Sequence, residues 1–237
     1  MGYGGTGTLD ITGGGSVSNN IGSIGNNFGS SGTVTVGGGT GSSTWTNSGL
    51  LYVGNSGTGT LNIKAGGLVS VSGLDGGNAT SSVKFDGGTL RITATDNASN
   101  TINLLSGGGK FEVPTAAATF TVSSAMSGPG GLTKSGAGGM KLTGAHMYAG
   151  GTTVSGGTLI VNNSLGSGTG SGPVVVAAGA ALGGSGSITG DVTLNGSLSP
   201  GDSLGAFGQG ALTFNQGSFF VYDIDSSSPT ADLVNVA

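Results

Sequence analysis

Gly5-Thr6-Gly7-Thr8-Leu9-Asp10-Ile11-Thr12-Gly13-Gly14-Gly15-Ser16-Val17-Ser18 returns without gaps as Gly57-Thr58-Gly59-Thr60-Leu61-Asn62-Ile63-Lys64-Ala65-Gly66-Gly67-Leu68-Val69-Ser70. Ten of the fourteen positions are identical at an offset of 52 residues, and the matches include Leu, Ile and Val as well as Gly. Within each copy apolar and small polar residues alternate, as a strand with one buried face requires. Shorter echoes follow as GGTLRI at 87–92, GGTLIV at 156–161 and GALTF at 210–214. A recurring strand unit that cannot bury its apolar face alone is the signature of a solenoid.

The same alternation runs outward from these repeats. It recurs at 8–11, 33–36, 50–53, 60–63, 68–71, 83–85 and 89–92, then at 110–113, 119–122, 158–161, 174–176, 191–194 and 219–222. Gly-Gly, Gly-Ser or Asn-Gly separates the groups, supplying residues that tolerate positive φ where the chain turns sharply. No stretch of about ten residues shows helical periodicity free of Gly. The chain is therefore expected to be all-β, a parallel β-helix in which inward aliphatic side chains stack coil on coil and Gly makes the corners. At ~20 to 25 residues per coil it supplies roughly ten coils and a rod about 50 Å long.

Composition narrows the function. Gly, Ser, Thr and Asn make up 131 of 237 residues. That alone suggests a flexible Gly-rich spacer, a reading opposed by 35% apolar residues set in short alternating groups. A net charge of −4 on sixteen charged residues leaves no footprint for nucleic acid. Without Cys, and with His146 as the one His, thiolate sites and His clusters for transition metals are excluded. No apolar run reaches the ~18 residues of a membrane helix. Met1-Gly2-Tyr3-Gly4-Gly5 lacks the basic start and apolar stretch of a signal peptide, so the chain is expected to be intracellular or to have its targeting segment outside this sequence.

At 128–161 the sequence reads GPGGLTKSGAGGMKLTGAHMYAGGTTVSGGTLIV. It closely resembles the autotransporter-associated β-strand repeat of bacterial type V secretion passengers, whose pattern runs GGLTK-x-GxGxLxLxGxNxYxGxT-x-V-xx-GxL. His146 stands where Asn is usual and Met140 where Leu is usual. Residues 41–54, 183–192, 198–205 and 231–236 also look like passenger sequence. The resemblance implies a right-handed parallel β-helix carried through the outer membrane by a C-terminal β-barrel. It divides the chain into N-terminal β-helix repeats over 1–127, the autotransporter-associated repeat over 128–161, and further coils over 162–237. No set of ~10-residue alternating strands follows those coils, so the barrel is expected outside this chain. Few charges, small residues and no disulfides also suit a chain threaded unfolded through a pore.

Several residues invite a chemical reading. Gly201-Asp202-Ser203-Leu204-Gly205 fits the G-x-S-x-G nucleophile pattern and spells the motif of a lipase and esterase family. In that family a paired Asp and His follow the nucleophile late in the domain, whereas here no His follows Ser203. Leu198 to Gly205 is better explained as a Pro-Gly turn between coils. Asp223 and Asp225, two apart, would share a strand face, as a polysaccharide hydrolase or lyase pair needs, but Ser226-Ser227-Ser228-Pro229 suggests a solvated strand end. Glu112, between Phe111 and Val113, is expected to point outward, and Asp75, Asp86 and Asp96 are expected in turns. No carboxylates recur at the short period of calcium-binding β-helix repeats. Gly109-Lys110-Phe111 lacks the Ser or Thr of a phosphate loop.

Thr-x-Thr pairs at 33/35, 44/46, 93/95 and 119/121 are spaced too irregularly for one flat ladder and are expected as ordinary outward positions. Trp45 and Tyr148 are candidate surface aromatics for sugar or protein contact. No catalytic, cofactor-binding or metal-binding residue is assigned. The expected function is that of a non-catalytic structural and adhesive passenger segment, a monomeric rod at the bacterial surface, at the outer membrane or secreted. Its expected partners are a surface receptor or glycan and the full-length chain's barrel, with no nucleic acid and no insertion of this segment into the membrane. The alternatives are a passenger enzyme and a Gly-rich spacer.

Overall fold

The computed structural model describes residues 1–76, 81–201, 206–221, 224–225 and 230–236, and none of these is helical. The first repeat copy forms strands Thr6–Ile11 and Ser16–Asn19; the second forms Thr58–Lys64 and Gly67–Val71. The copies do not touch along this face. Ser31–Val36 lies between them, paired in parallel with both, so that Leu9, Val34 and Leu61 form one column and Ile11, Val36 and Ile63 the next. The 52-residue offset is therefore two coils.

Each coil visits up to three faces in turn. The first face stacks seven strands, from Thr6–Ile11 to Met147–Tyr148. The second stacks ten, from Ser16–Asn19 to Leu212–Phe214, which span about 43 Å at the ~4.8 Å spacing of paired strands. The third opens as Gly22–Ile24, Leu50–Val53 and Gly73–Asp75, then continues as seven strands from Asp96–Ala98 to Phe219–Phe220. Leu74 N donates to Asp96 Oδ2 at 2.7 Å where the two parts meet. Strands on successive coils pair in parallel; among the described residues the antiparallel strand pair is Ile224–Asp225 with Thr230–Ala231.

The alternation read from the sequence becomes a burial pattern. Inward residues of the three faces, Val34 to Leu104 on the first, Val69 to Leu194 on the second and Val122 to Leu198 on the third, lie in one continuous apolar core. Phe85, Phe111 and Phe120 come from the three faces in turn and meet inside it, with ring centroids 4.7 Å apart for Phe85 and Phe111 and 6.1 Å for Phe111 and Phe120. A flexible spacer would have no such core, so that alternative is overturned.

Other expectations need correction. Trp45 and Tyr148 are not surface aromatics: Trp45 is 4% exposed and Tyr148 fully buried. Trp45 lies between outward Thr44 and Thr46, so the period of two aims it at the core. Leu198 to Pro200 is not a turn but part of strand Ser197–Pro200, paired with Ala181–Gly184. Asp75 and Asp86 end strands and Asp96 begins one, rather than sitting in turns.

Candidate functional site

The segment 128–161 shows what each element of its pattern does. Gly130 and Gly131 make the corner between the first and second faces. A Cβ on Gly131 would stand 2.6 Å from Gly151 O, and one on Gly130 would overlap Leu105 O, so only Gly lets these coils approach. Leu132 then turns inward and Thr133 outward. Lys134 follows, fully buried in the column Trp45, Val69, Leu90, Phe111, Lys134, Val154, Val176 and Leu194.

A buried ammonium needs partners for its three protons. Lys134 Nζ donates to Ser135 O at 2.9 Å, Gly136 O at 3.0 Å and Gly156 O at 3.0 Å. The last bond crosses to the following coil, so the side chain clips two corners together. Burial pushes its pKa down to about 8, which leaves the ammonium charged at neutral pH.

His146 and Tyr148 complete the unit. His146 is 3% exposed, and its Nδ1 accepts the Met126 N–H at 3.0 Å from the preceding coil. It acts there as other corner side chains do: Ser81 Oγ accepts from Gly59 N, and Asn163 Oδ1 from Ser187 N. Burial pushes the imidazole pKa down to about 4, so it is neutral at pH 7. The Tyr148 hydroxyl shares a 2.6 Å hydrogen bond with Thr152 Oγ1, and burial raises its pKa.

The candidate nucleophile and carboxylate pair are not brought together by anything the structure describes. Ser203 and Asp223 lie outside the described residues, as does the side chain of Asp225. His146 is bound into the core. Glu112 faces outward and pairs with Arg91 at 3.1 Å. Asp86 Oδ1 accepts Gly107 N at 3.0 Å, and Asp96 is half-buried with its pKa raised by that burial. Among the described residues no three of His, Asp and Glu converge as a metal site would require.

The outer surfaces are organised where the sequence showed only scatter. On the second face Thr133, Thr153, Val175, Thr193 and Thr213 form one outward column. Two residues on, Ser135, Ser155, Ala177, Asn195 and Asn215 form its uncharged companion, joined coil to coil by main-chain bonds such as Ala177 N to Val154 O. On the first face Thr8, Thr33, Thr60, Ser82 and Thr101 align likewise. Thr-x-Thr spacing misses these columns because coil length varies from 29 residues (Gly22 to Leu51) to 16 (Ala181 to Ser197). Of the four pairs, 33/35, 44/46 and 119/121 fall on three different faces and 93/95 on a corner.

Residues 132–161 match the model of the passenger-associated-transport-repeat. A stretch of 103 residues, 43% of this chain, is 40% identical to the adhesin BmaC autotransporter of Brucella suis biovar 1 (strain 1330). The chain thus carries a passenger-associated-transport-repeat and is similar, over part of its length, to an autotransporter adhesin. It matches only 3% of that relative's length.

Within the matched repeat the Lys134 clip is testable. Lys134→Met keeps the volume and removes the desolvation of a charge, yet strips the donor from three main-chain carbonyls at half-buried corners. Leaving three main-chain carbonyls without this donor costs more than that relief, so the variant should lose about 3 kcal/mol at pH 7, read by urea unfolding. Because the folded pKa of about 8 lies below the ordinary 10.5, the unfolded chain holds the extra proton between those values. Wild-type stability should therefore rise with pH across that window and the Met variant's should not, widening the gap. A variant as stable as wild type would refute the clip.

Proposed function

We propose that this passenger segment is a non-catalytic adhesive rod, exposed at the bacterial surface or released from it, with 128–161 as its transport-associated unit between the flanking coils. The observation that carries the reading is the pair of uncharged outward columns on the second face, from Thr133/Ser135 to Thr213/Asn215. Parallel stacking sets small polar groups ~4.8 Å apart from coil to coil, broken in one coil by Val175 and Ala177, on a sheet too regular to fold into a cleft. Such a face suits many weak contacts made at once, with affinity gained by multivalency rather than by one deep pocket.

The name of the Brucella relative, an autotransporter adhesin, supports the reading. The partner class that fits is a surface receptor or glycan presenting repeated groups. Nucleic acid does not fit a chain of net charge −4. The remainder of the full-length protein is expected to supply the outer-membrane barrel.

Purified chain coated on beads should bind host-type epithelial cells without turning over ester or polysaccharide substrates. Thr153→Lys combined with Thr193→Lys places two charges in the column at exposed or half-exposed positions. It should cut bead binding about tenfold and leave the thermal melt within a degree or two. Unchanged binding by the double variant would move the adhesive face elsewhere, and turnover of either substrate would overturn the non-catalytic reading.

A further inference from the structure

His146 stands where the resemblance expects Asn, and the substitution changes what acid does to the rod. Its Nδ1 accepts the Met126 N–H from the coil before, while its main-chain N–H donates to Ser167 O at 2.8 Å in the coil after. Its Nε2 is buried with no hydrogen-bond partner. A neutral imidazole with its proton on Nε2 fills this role. An imidazolium cannot, since protonated Nδ1 is a donor facing another donor and the charge is buried.

Nothing packed nearby compensates. The titratable group beside the imidazole is Tyr148, two residues on in strand Met147–Tyr148, its ring centroid 6.4 Å away and its hydroxyl engaged with Thr152. The preceding strand Met126–Gly128 and the following segment at Ser167 bring no ionisable side chain. Between Glu112 and Asp191 the sequence has no carboxylate at all, and its charges there are Lys134 and Lys141. Lys134 is committed to three carbonyls, and Lys141 lies in the third-face column after Thr121. The seam is thus an acceptor site inside an acid-free stretch.

We propose that His146 is an acid-released latch, holding the Met126 coil to the Tyr148 coil at neutral pH and opening the rod at that junction when protonated. In a solenoid each coil contacts only its neighbours, so an opening here need not unfold the rest. The sign follows from the imidazole's depressed pKa: the open form takes up a proton below about 6.5 that the closed form resists until about 4. Across that window the opening equilibrium should rise by up to about 300-fold, tenfold for each unit of separation.

Hydrogen exchange of the intact chain at pH 7 and pH 4, corrected for the intrinsic rate, tests this. Amides of residues 126–148 should lose protection at pH 4 by up to the stated factor, while those of 31–63 hold theirs. His146→Asn keeps an acceptor for Met126 N–H and cannot titrate, so its protection at 126–148 should be the same at both pH values. Because His146 is the one His, its Cε1 proton resonance gives a reading independent of any variant, with protonation expected only as the junction opens. A resonance titrating near 6.5 in a closed rod, an Asn variant that loosens as wild type does, or loosening spread evenly along the chain would each overturn the proposal.

Discussion

Phe111→Ala is expected to lower stability by about 4 kcal/mol, within the range for truncating a buried aromatic. Phe111 is fully buried and stands at the centre of the three-face cluster, against Phe85 from the first face and Phe120 from the third. Its removal leaves a cavity that the ladder cannot close, because moving one coil inward would break parallel main-chain bonds on both sides. The loss should also be local. Phe111 pairs in register with Leu90 before it and Lys134 after it, so the coils around 85–134 should open first. Urea unfolding followed by fluorescence and by hydrogen exchange should then separate into two transitions where wild type is expected to show one. A single transition shifted by less than 1 kcal/mol would mean the cluster repacks, and the nearest-neighbour picture of the core would fail with it.

That cluster also shows how far the residues alone reach. Most apolar groups read from alternation are strands in the structure, with Thr89–Ile92, Thr119–Val122 and Thr158–Val161 matching end to end, whereas of 219–222 only the exposed pair Phe219–Phe220 is a strand and Tyr222 lies outside the described residues. Strands whose inward positions are polar or small escaped. Ser43–Asn47 buries Ser43, Trp45 and Asn47, and Asp96–Ala98 carries one inward methyl, so neither shows an aliphatic period. Trp45 itself was legible. Thr44 and Thr46 were read as outward, which obliges the residue between them to face in.

The outward columns were not legible, since column membership depends on coil length and each corner adds or drops residues at will. Nor was the role of Lys134, because a Lys in a strand ordinarily signals a solvated face, and its three carbonyl acceptors come from corners 1, 2 and 22 residues away. His146 is the intermediate case. The departure from Asn was visible in the sequence, but its burial against Met126 N–H was not.

Gly130→Ala is expected to be among the most damaging methyl additions at the described glycines, with a loss of about 4 kcal/mol or more. The added Cβ would overlap Leu105 O and stand 2.8 Å from Gly108 Cα, both main-chain atoms that cannot rotate away as a side chain does. Leu105 O already accepts Gly108 N at 2.8 Å, closing the turn of the preceding coil. Relief requires the 130–136 coil to lift off its neighbour, which breaks Gly130 N to Leu104 O and Gly109 N to Gly131 O, at 2.9 and 3.0 Å. It also draws Lys134 away from its carbonyls, so the corner and the clip should fail together. Gly5→Ala is the matched control: nothing lies within 4 Å of its Cβ and its φ is not positive. It should stay within about 0.5 kcal/mol of wild type, since helix and strand formers alike tolerate Ala at an open site. If Gly130→Ala melts with the control, the glycine pair at 130–131 serves something other than close approach of coils. If it melts far below, with protection lost first across 104–136, the corner glycines are what sets the distance at which one coil can rest on the next.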